Sequence, residues 1–524
     1  MKKLVSLVVS SIIAVSAMGV PARQGAMVMT AADGTEKTVF LHGDETFSYM
    51  TDEAGNWIDE ETFAPISDVQ KAQLLKIRDE RLKIKEEQYA AKMAARRRAM
   101  QQTGIDRLLA PRGIVILVSF TDLEFKQSNE AMTDWAMGEN YTYNGATGSI
   151  RQYFHDQSWG QYEMEIDVVG PVMVSQNATY YGKNTPKKDA KVSEMIVEAC
   201  HLAAEKGADF SKYDYNNDGE VDWVVVLYAG RGEADGGGAN TIWPHQYDLA
   251  YYDQEFELNG KTINHYCCLN ELNGNKRCGI GTFCHEFSHI LGLPDFYATN
   301  DATHRTLSTW DIMDAGPYNN NGNTPPNYSA YERWWMGWFK PRLINNTSCS
   351  VILPPMHEYQ TACFMNAQGR DIDDILDPDP KTFYVFENRQ QEGWDYYLKG
   401  EGLMITKIQY SSYKWETNTV NNQQSTMGVN MIEATENTST YQDYPTDLYP
   451  DGATEFTQII QYQVSNIMQA NRVITFDVNG GGTKINLDVE EVPSTDLHVR
   501  KIVQDGKVII VRDGQEFDIL GNRL

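Results

Sequence analysis

CHEFSHILGLPDFY, Cys284 to Tyr297, is the stretch that decides the reading of this chain. On a helix, His285 and His289 stand four residues apart and share one face. Two imidazoles so placed can share one Zn2+, which takes nitrogen ligands at about 2.0–2.1 Å. Glu286 follows the first histidine and so stands beside the metal rather than on it. There it is placed to take a proton from water that the metal acidifies. A tetrahedral site needs a third protein ligand from a new direction, so the helix has to stop. Gly292 permits a turn through positive φ, Pro294 discourages helix beyond it, and Asp295 follows as a carboxylate able to swing back. A bare H-E-x-x-H arises by accident in long chains, and the glycine and aspartate at the further offsets are what make this one specific. The competing reading is a buried helix with two hydrogen-bonded histidines, which leaves Glu286 without a role.

STWDIMDAGPY, Ser308 to Tyr318, places Met313 eighteen residues after Asp295 in a turn-like sequence. A lone methionine is ordinarily core filler, but one following a zinc motif reads as a methionine turn, an apolar floor beneath the metal. With these segments the sequence resembles the immune-inhibitor-A-type family of secreted metallopeptidases, which share HExxHxLGLPDxY and a following WDxM. The likeness covers about 113 to 340 and includes YTYNGATGSIRQYFHDQSWGQY from Tyr141, YDYNNDGEVDWVVVLYAG from Tyr213, Ile242–His245 (IWPH) and SAYERWWMGWFKP from Ser329. The resemblance implies that His285 and His289 bind zinc, that Glu286 is catalytic, and that the substrates are proteins or peptides. Metzincins more often use His as third ligand, so Glu332 stands as the alternative to Asp295. Tyr297, Tyr318 and His245 are candidates for stabilising the oxyanion.

A second metal is suggested by DYNNDGEVD. Asp214, Asn216 and Asp218 alternate oxygen donors, Gly219 permits the bend, and Asp222 falls at the ninth position of a calcium-loop pattern. Val225 stands where the closing bidentate Glu belongs, so the sequence predicts a structural Ca2+ with distant ligands or an Asx-rich turn. The seven cysteines are odd in number, which leaves at least one without an internal partner. Cys349 and Cys363 flank an apparent hairpin and could pair across it. Cys267, Cys268, Cys278 and Cys284 lack the paired spacing of a zinc site and read as buried thiols or a local disulfide.

Working outward, the chain divides into six parts. Lys2 and Lys3 precede an apolar run to Val20, with small residues at Ala17, Gly19 and Ala22, so residues 1–22 read as a secretory signal peptide. Residues 23–67 are a β-rich pro-segment, LHGDETFSYMTDEAGNW resembling those that precede such peptidases. Residues 68–103 are a helical linker with Asp68 as N-cap. It is basic in an acidic protein, and Arg96, Arg97 and Arg98 are set out for an activating protease. Residues 104–345 alternate buried strands (GIVILVSF, VDWVVVLYAG) with helices, one capped by Ser149, as an α+β metzincin-like domain with a mixed sheet and the active-site helix. Residues 346–480 are short strands between polar loops, a β-sandwich-like accessory domain. Residues 481–524 are a β tail with Asp-Gly turns, resembling a sorting module of the type IX secretion route.

Among 524 residues the formal charge is -27, which argues against nucleic acid as partner. No stretch after the leader is apolar enough to span a bilayer. The expected function is a secreted zinc endopeptidase made as a zymogen. The rivals are a metal-stabilised surface adhesin and a zinc hydrolase of small peptides or amides.

Overall fold

A computed structural model of the protein describes residues 18–30, 36–83, 111–184, 189, 191–300, 302–344, 347–439, 442–459, 461–487, 499–504, 507–512 and 515–517. The first seventeen residues of the expected leader and the rest of the basic run after 83, Arg96–Arg98 included, lie outside them. The leading segment forms an antiparallel meander in the order β1 (Ala26–Thr30), β2 (Glu36–Gly43), β3 (Ser48–Thr51) and β4 (Trp57–Ile58). Helix α1 follows over 68–83. Its cap is Ser67, one residue before the expected Asp68. The Ser67 hydroxyl accepts from the Gln70 amide, and the Gln70 side chain accepts from the Ser67 amide, a capping box.

The central sheet grows from the two apolar runs. β5 (Arg112–Ser119) and β7 (Val224–Arg231) are buried almost throughout and pair in parallel, as strands covered on both faces do. β6 (Glu165–Met173) flanks β5. β11 (His265–Asn273) flanks β7, and both additions are parallel. β8 (His245–Asp248) and β12 (Lys276–Arg277) pair antiparallel with the far side of β11, and β9 (Phe256–Leu258) and β10 (Lys261–Ile263) make a separate hairpin. The helices are α2 (Asn129–Met137), α3 (Ile150–Gln157, capped by Ser149), α4 (Ala178–Gly182), α5 (Val192–Glu205), α6 (Gly281–Leu291) and α7 (Ala330–Trp335). The mixed sheet and helices form the α+β arrangement expected of a peptidase domain. α6 is anchored by Phe283 and Phe287, whose rings meet the Trp223 ring edge-on, worth about 0.5–1.5 kcal/mol per pair beyond burial.

Beyond 345 two sheets follow. One runs β13 (Arg342–Leu343), β15 (Cys363–Met365), β16 (Thr382–Arg389), β17 (Gly402–Gln409) and β18 (Val429–Met431). The other runs β19 (Val464–Ala470), β20 (Val473–Val478), β14 (Cys349–Leu353) and β21 (Thr483–Asn486). Tyr384, Phe386, Leu403 and Ile405 fill the core shared with the second sheet. Their neighbours Phe383, Val385 and Met404 belong to the same core as the central sheet and α6. A boundary at 345 therefore cuts through one continuous core. The junction is also ionic. The Arg305 guanidinium, on the loop after the zinc motif, meets Glu433 at 2.7 Å and Asp443 and Asp447 at 2.9 Å each, with its side chain only 6% exposed. Arg305→Ala would strand three carboxylates, and a loss of about 3–5 kcal/mol is expected in a denaturant melt.

β22 (Val499–Gln504), β23 (Lys507–Arg512) and β24 (Gln515–Phe517) form a small antiparallel sheet in the tail. All seven cysteines are buried free thiols, Cys349 and Cys363 included. No described helix is long and apolar enough to cross a membrane.

Candidate metal centre and cleft

α6 ends where the sequence requires. Gly292 takes φ 103° as its C-cap and donates to His289 O, a conformation that strains a residue with Cβ. The turn carries Asp295 back beneath the two histidines. His285 Nε2 and His289 Nε2 lie 3.2 Å apart, and Asp295 Oδ1 lies 3.2 Å from the first and 3.3 Å from the second. All three side chains are fully buried.

The outward atoms fix the inward ones. His285 Nδ1 donates to Ile312 O at 2.7 Å and His289 Nδ1 to Leu293 O at 2.8 Å. With their protons on Nδ1, both rings turn a lone pair inward. Asp295 Oδ2 accepts from Asn418 Nδ2 at 2.5 Å, and Asn418 Oδ1 accepts from the Asp295 amide at 2.7 Å. Asp295 Oδ1 has no hydrogen-bond donor. Three acceptors thus converge in a buried place with no proton between them, an arrangement that a divalent cation resolves. Burial pushes the His289 imidazole below its usual pKa, which favours the neutral form a ligand needs.

Met313 is fully buried, and its carbonyl accepts from the Phe296 amide at 2.8 Å. With Ile312 O on His285, the turn holds both the helix and the strand of chain carrying Asp295. Glu332 is not in this group. Its carboxylate accepts from the Ser329 amide and hydroxyl in the capping box of α7, and burial, then the Asp311 carboxylate, push it well above its usual pKa.

The cleft beside these three side chains is filled by the chain itself. Met18 pairs with Gln246 of β8 in an antiparallel bridge, N–O 2.9 and 2.7 Å. Tyr297 OH donates to Gly19 O at 2.7 Å, the Val20 amide donates to Glu286 Oε1 at 2.8 Å, and Tyr318 OH donates to Pro21 O at 2.6 Å. Burial pushes the Glu286 carboxyl well above its usual pKa. Two of the three oxyanion candidates therefore face a peptide in the cleft. His245 is turned elsewhere, to Trp243 O and the Tyr266 hydroxyl. Residues 18–22, read from sequence as the end of the leader, are part of the folded core.

In the 214–222 loop, Gly219 has φ 95° and the side chains bind their own backbone. Asp214 accepts from the Asp218 and Gly219 amides and pairs with Lys261, and Asp222 accepts from the Tyr215 amide at 2.9 Å. Burial, then the carboxylates of Asp218 and Asp214, push Asp222 up to about 7. Among the described residues, three or more metal-binding side chains gather at His285, His289 and Asp295, and again at His357, Glu358 and Glu392. In the second group Arg472 bridges the two glutamates.

Residues 122–342 match the catalytic domain of the immune inhibitor A peptidase M6 family. Over this span the chain is similar to M6 catalytic domains. Its matched span contains α6, Asp295, the Met313 turn and α7, but stops short of Asn418. A pre-pro-metalloprotease, PrtV, of Vibrio cholerae serotype O1 is 29% identical over 276 residues, 44% of this chain and 29% of that protein. Immune inhibitor A of Bacillus thuringiensis subsp. alesti is 26% identical over 217 residues, 35% of this chain and 31% of that protein. The chain thus spans less than a third of the length of either relative. Asn418, in an asparagine-rich loop 123 residues from its partner, carried no local signal that tied it to Asp295.

Proposed function

We propose that the chain is an exported zinc endopeptidase, made as a zymogen, that cuts peptide bonds of proteins. The supporting observation is the convergence of three buried acceptors beside a carboxyl group already in contact with a peptide amide. Bound at His285, His289 and Asp295, the metal would supply Lewis acidity to a peptide carbonyl and to water. Glu286 takes the proton of the attacking water and passes it to the nitrogen that stands where Val20 N stands. Tyr297 donates to the carbonyl oxygen in the place of Gly19 O, where negative charge develops. β8 offers backbone partners to an extended substrate. Domain limits follow the sequence reading, except that residues 346–480 act as part of the catalytic unit through Asn418.

A chain passes through this cleft and is held on both sides of Glu286, which favours endoproteolysis over trimming of small peptides. An adhesin needs no carboxyl at that place. Asn418→Ala should weaken metal affinity about 10–100-fold, as loss of second-layer support does, measured by competition with a chromogenic chelator. Unchanged affinity would remove Asn418 from the account.

The zymogen reading rests on Met18–Ala22. A leader cut after Ala17 leaves Met18–Ala22 in the cleft, whereas a cut after Gly19 removes the Met18 and Gly19 contacts and one after Ala22 removes the whole strip. The exported latent chain is therefore expected to begin at Met18, and N-terminal sequencing decides. A Cβ built on Gly19 would stand 2.6 Å from Pro244 O, so Gly19→Leu should expel the segment and raise the activity of the uncut chain severalfold. A chain that is equally silent with leucine there speaks against latency by this segment. A structural Ca2+ at 214–222 has to displace Lys261 from Asp214, so Lys261→Ala should tighten calcium binding in calorimetry. No uptake by either protein removes calcium.

A further inference from the structure

Resting on that reading, we infer that the cleft contains a guanidinium-binding subsite, built by Asp235, Asn273 and Asn321, that selects arginine or lysine at the fourth substrate residue after the cut bond. In the uncut chain this place is taken by Arg23. Its Nη1 donates to Asp235 Oδ1 and to Asn273 Oδ1, both at 2.7 Å, and its Nη2 donates to Asn321 Oδ1 at 2.8 Å. Its backbone amide donates to Ala234 O at 3.0 Å. All three acceptors belong to the M6 span, so removal of the leading segment leaves them in place.

The pocket is built rather than incidental. Asp235 is 6% exposed and its other oxygen accepts from the Gly274 amide, while Asn273 Nδ2 donates to Asn321 O at 3.0 Å. One buried carboxylate and two oriented amide oxygens suit a planar cation with several donors. The register follows from the contacts already given. Val20 N meets Glu286 and Gly19 O meets Tyr297, so the Gly19–Val20 peptide lies where a reacting bond would lie. The segment runs antiparallel to β8, and Arg23 is the fourth residue counted from Val20. The leading segment thus occupies the cleft as a substrate would, and its arginine marks the subsite.

The test uses the full chain activated by limited trypsin nicking, with the trypsin then blocked, and maps fragments of denatured casein by mass spectrometry. Arginine or lysine is expected at the fourth position after the cut in about tenfold excess over glutamate, the size of one charge-assisted hydrogen bond. Asp235→Lys should reverse the preference toward acidic residues, which a merely structural role for Asp235 would not do. No excess in the parent protein, or the same excess in the variant, overturns the subsite. Hydrogen exchange of the uncut chain reads the pocket without turnover. The Val20 and Arg23 amides should exchange about tenfold faster in Arg23→Ala, and unchanged rates overturn the pocket. Faster exchange with no casein cleavage keeps the pocket and overturns the peptidase reading.

Discussion

Glu286→Gln is expected to lower casein hydrolysis by the activated chain about a thousandfold while leaving its metal content unchanged. The size follows from the role, since a positioned general base contributes typically 10²–10⁴-fold. The amide keeps the shape of the side chain, and Glu286 is not among the three converging ligands, so the fold and the metal should survive. Its Oε1 can still accept from a peptide amide, as it does from Val20, so KM should change far less than kcat. Rates near those of the parent would remove Glu286 from the chemistry.

Asp295→Asn is expected to carry the second large effect, a loss of metal affinity beyond about a hundredfold, more than removal of an outer partner produces. The fully buried Oδ1 faces two imidazole nitrogens with no other partner, and a neutral amide there forfeits the charge that offsets a dication. Glu332→Gln should keep its metal, because that side chain is occupied at the start of α7 and shares its surroundings with Asp311. Metal analysis after dialysis separates the two carboxylates. The opposite pattern would return the third ligand to Glu332.

The grouping of His285, His289 and Asp295 was largely legible because its grammar is local. Helical spacing brings two histidines to one face, a glycine allows the stop, and a proline and an aspartate follow within reach. What lay outside was set by distance along the chain. Asn418 reaches Asp295 from 123 residues away. Lys261 likewise occupies Asp214 from 47 residues away, which no spacing within the 214–222 loop reveals.

Two other readings stand differently beside the structure, for physical reasons. The end of a leader and an apolar strip that fills a cleft share one composition, so Met18–Ala22 could not be told from the leader by hydrophobicity alone. β16 carries Phe383, Tyr384, Val385 and Phe386 in an unbroken apolar run, the mark of a strand covered on both faces. Such a run is what a strand packed on both faces requires. The structure places one face of β16 against the second sheet and the other against the catalytic core.

The most direct measurement is anomalous X-ray diffraction from crystals of the full chain, recorded on either side of the zinc edge. The account predicts one strong peak within about 2.0–2.2 Å of His285 Nε2, His289 Nε2 and Asp295 Oδ1, with Glu286 beside it and unbound. A peak held by Glu332, or two histidines that part without any metal between them, would contradict it.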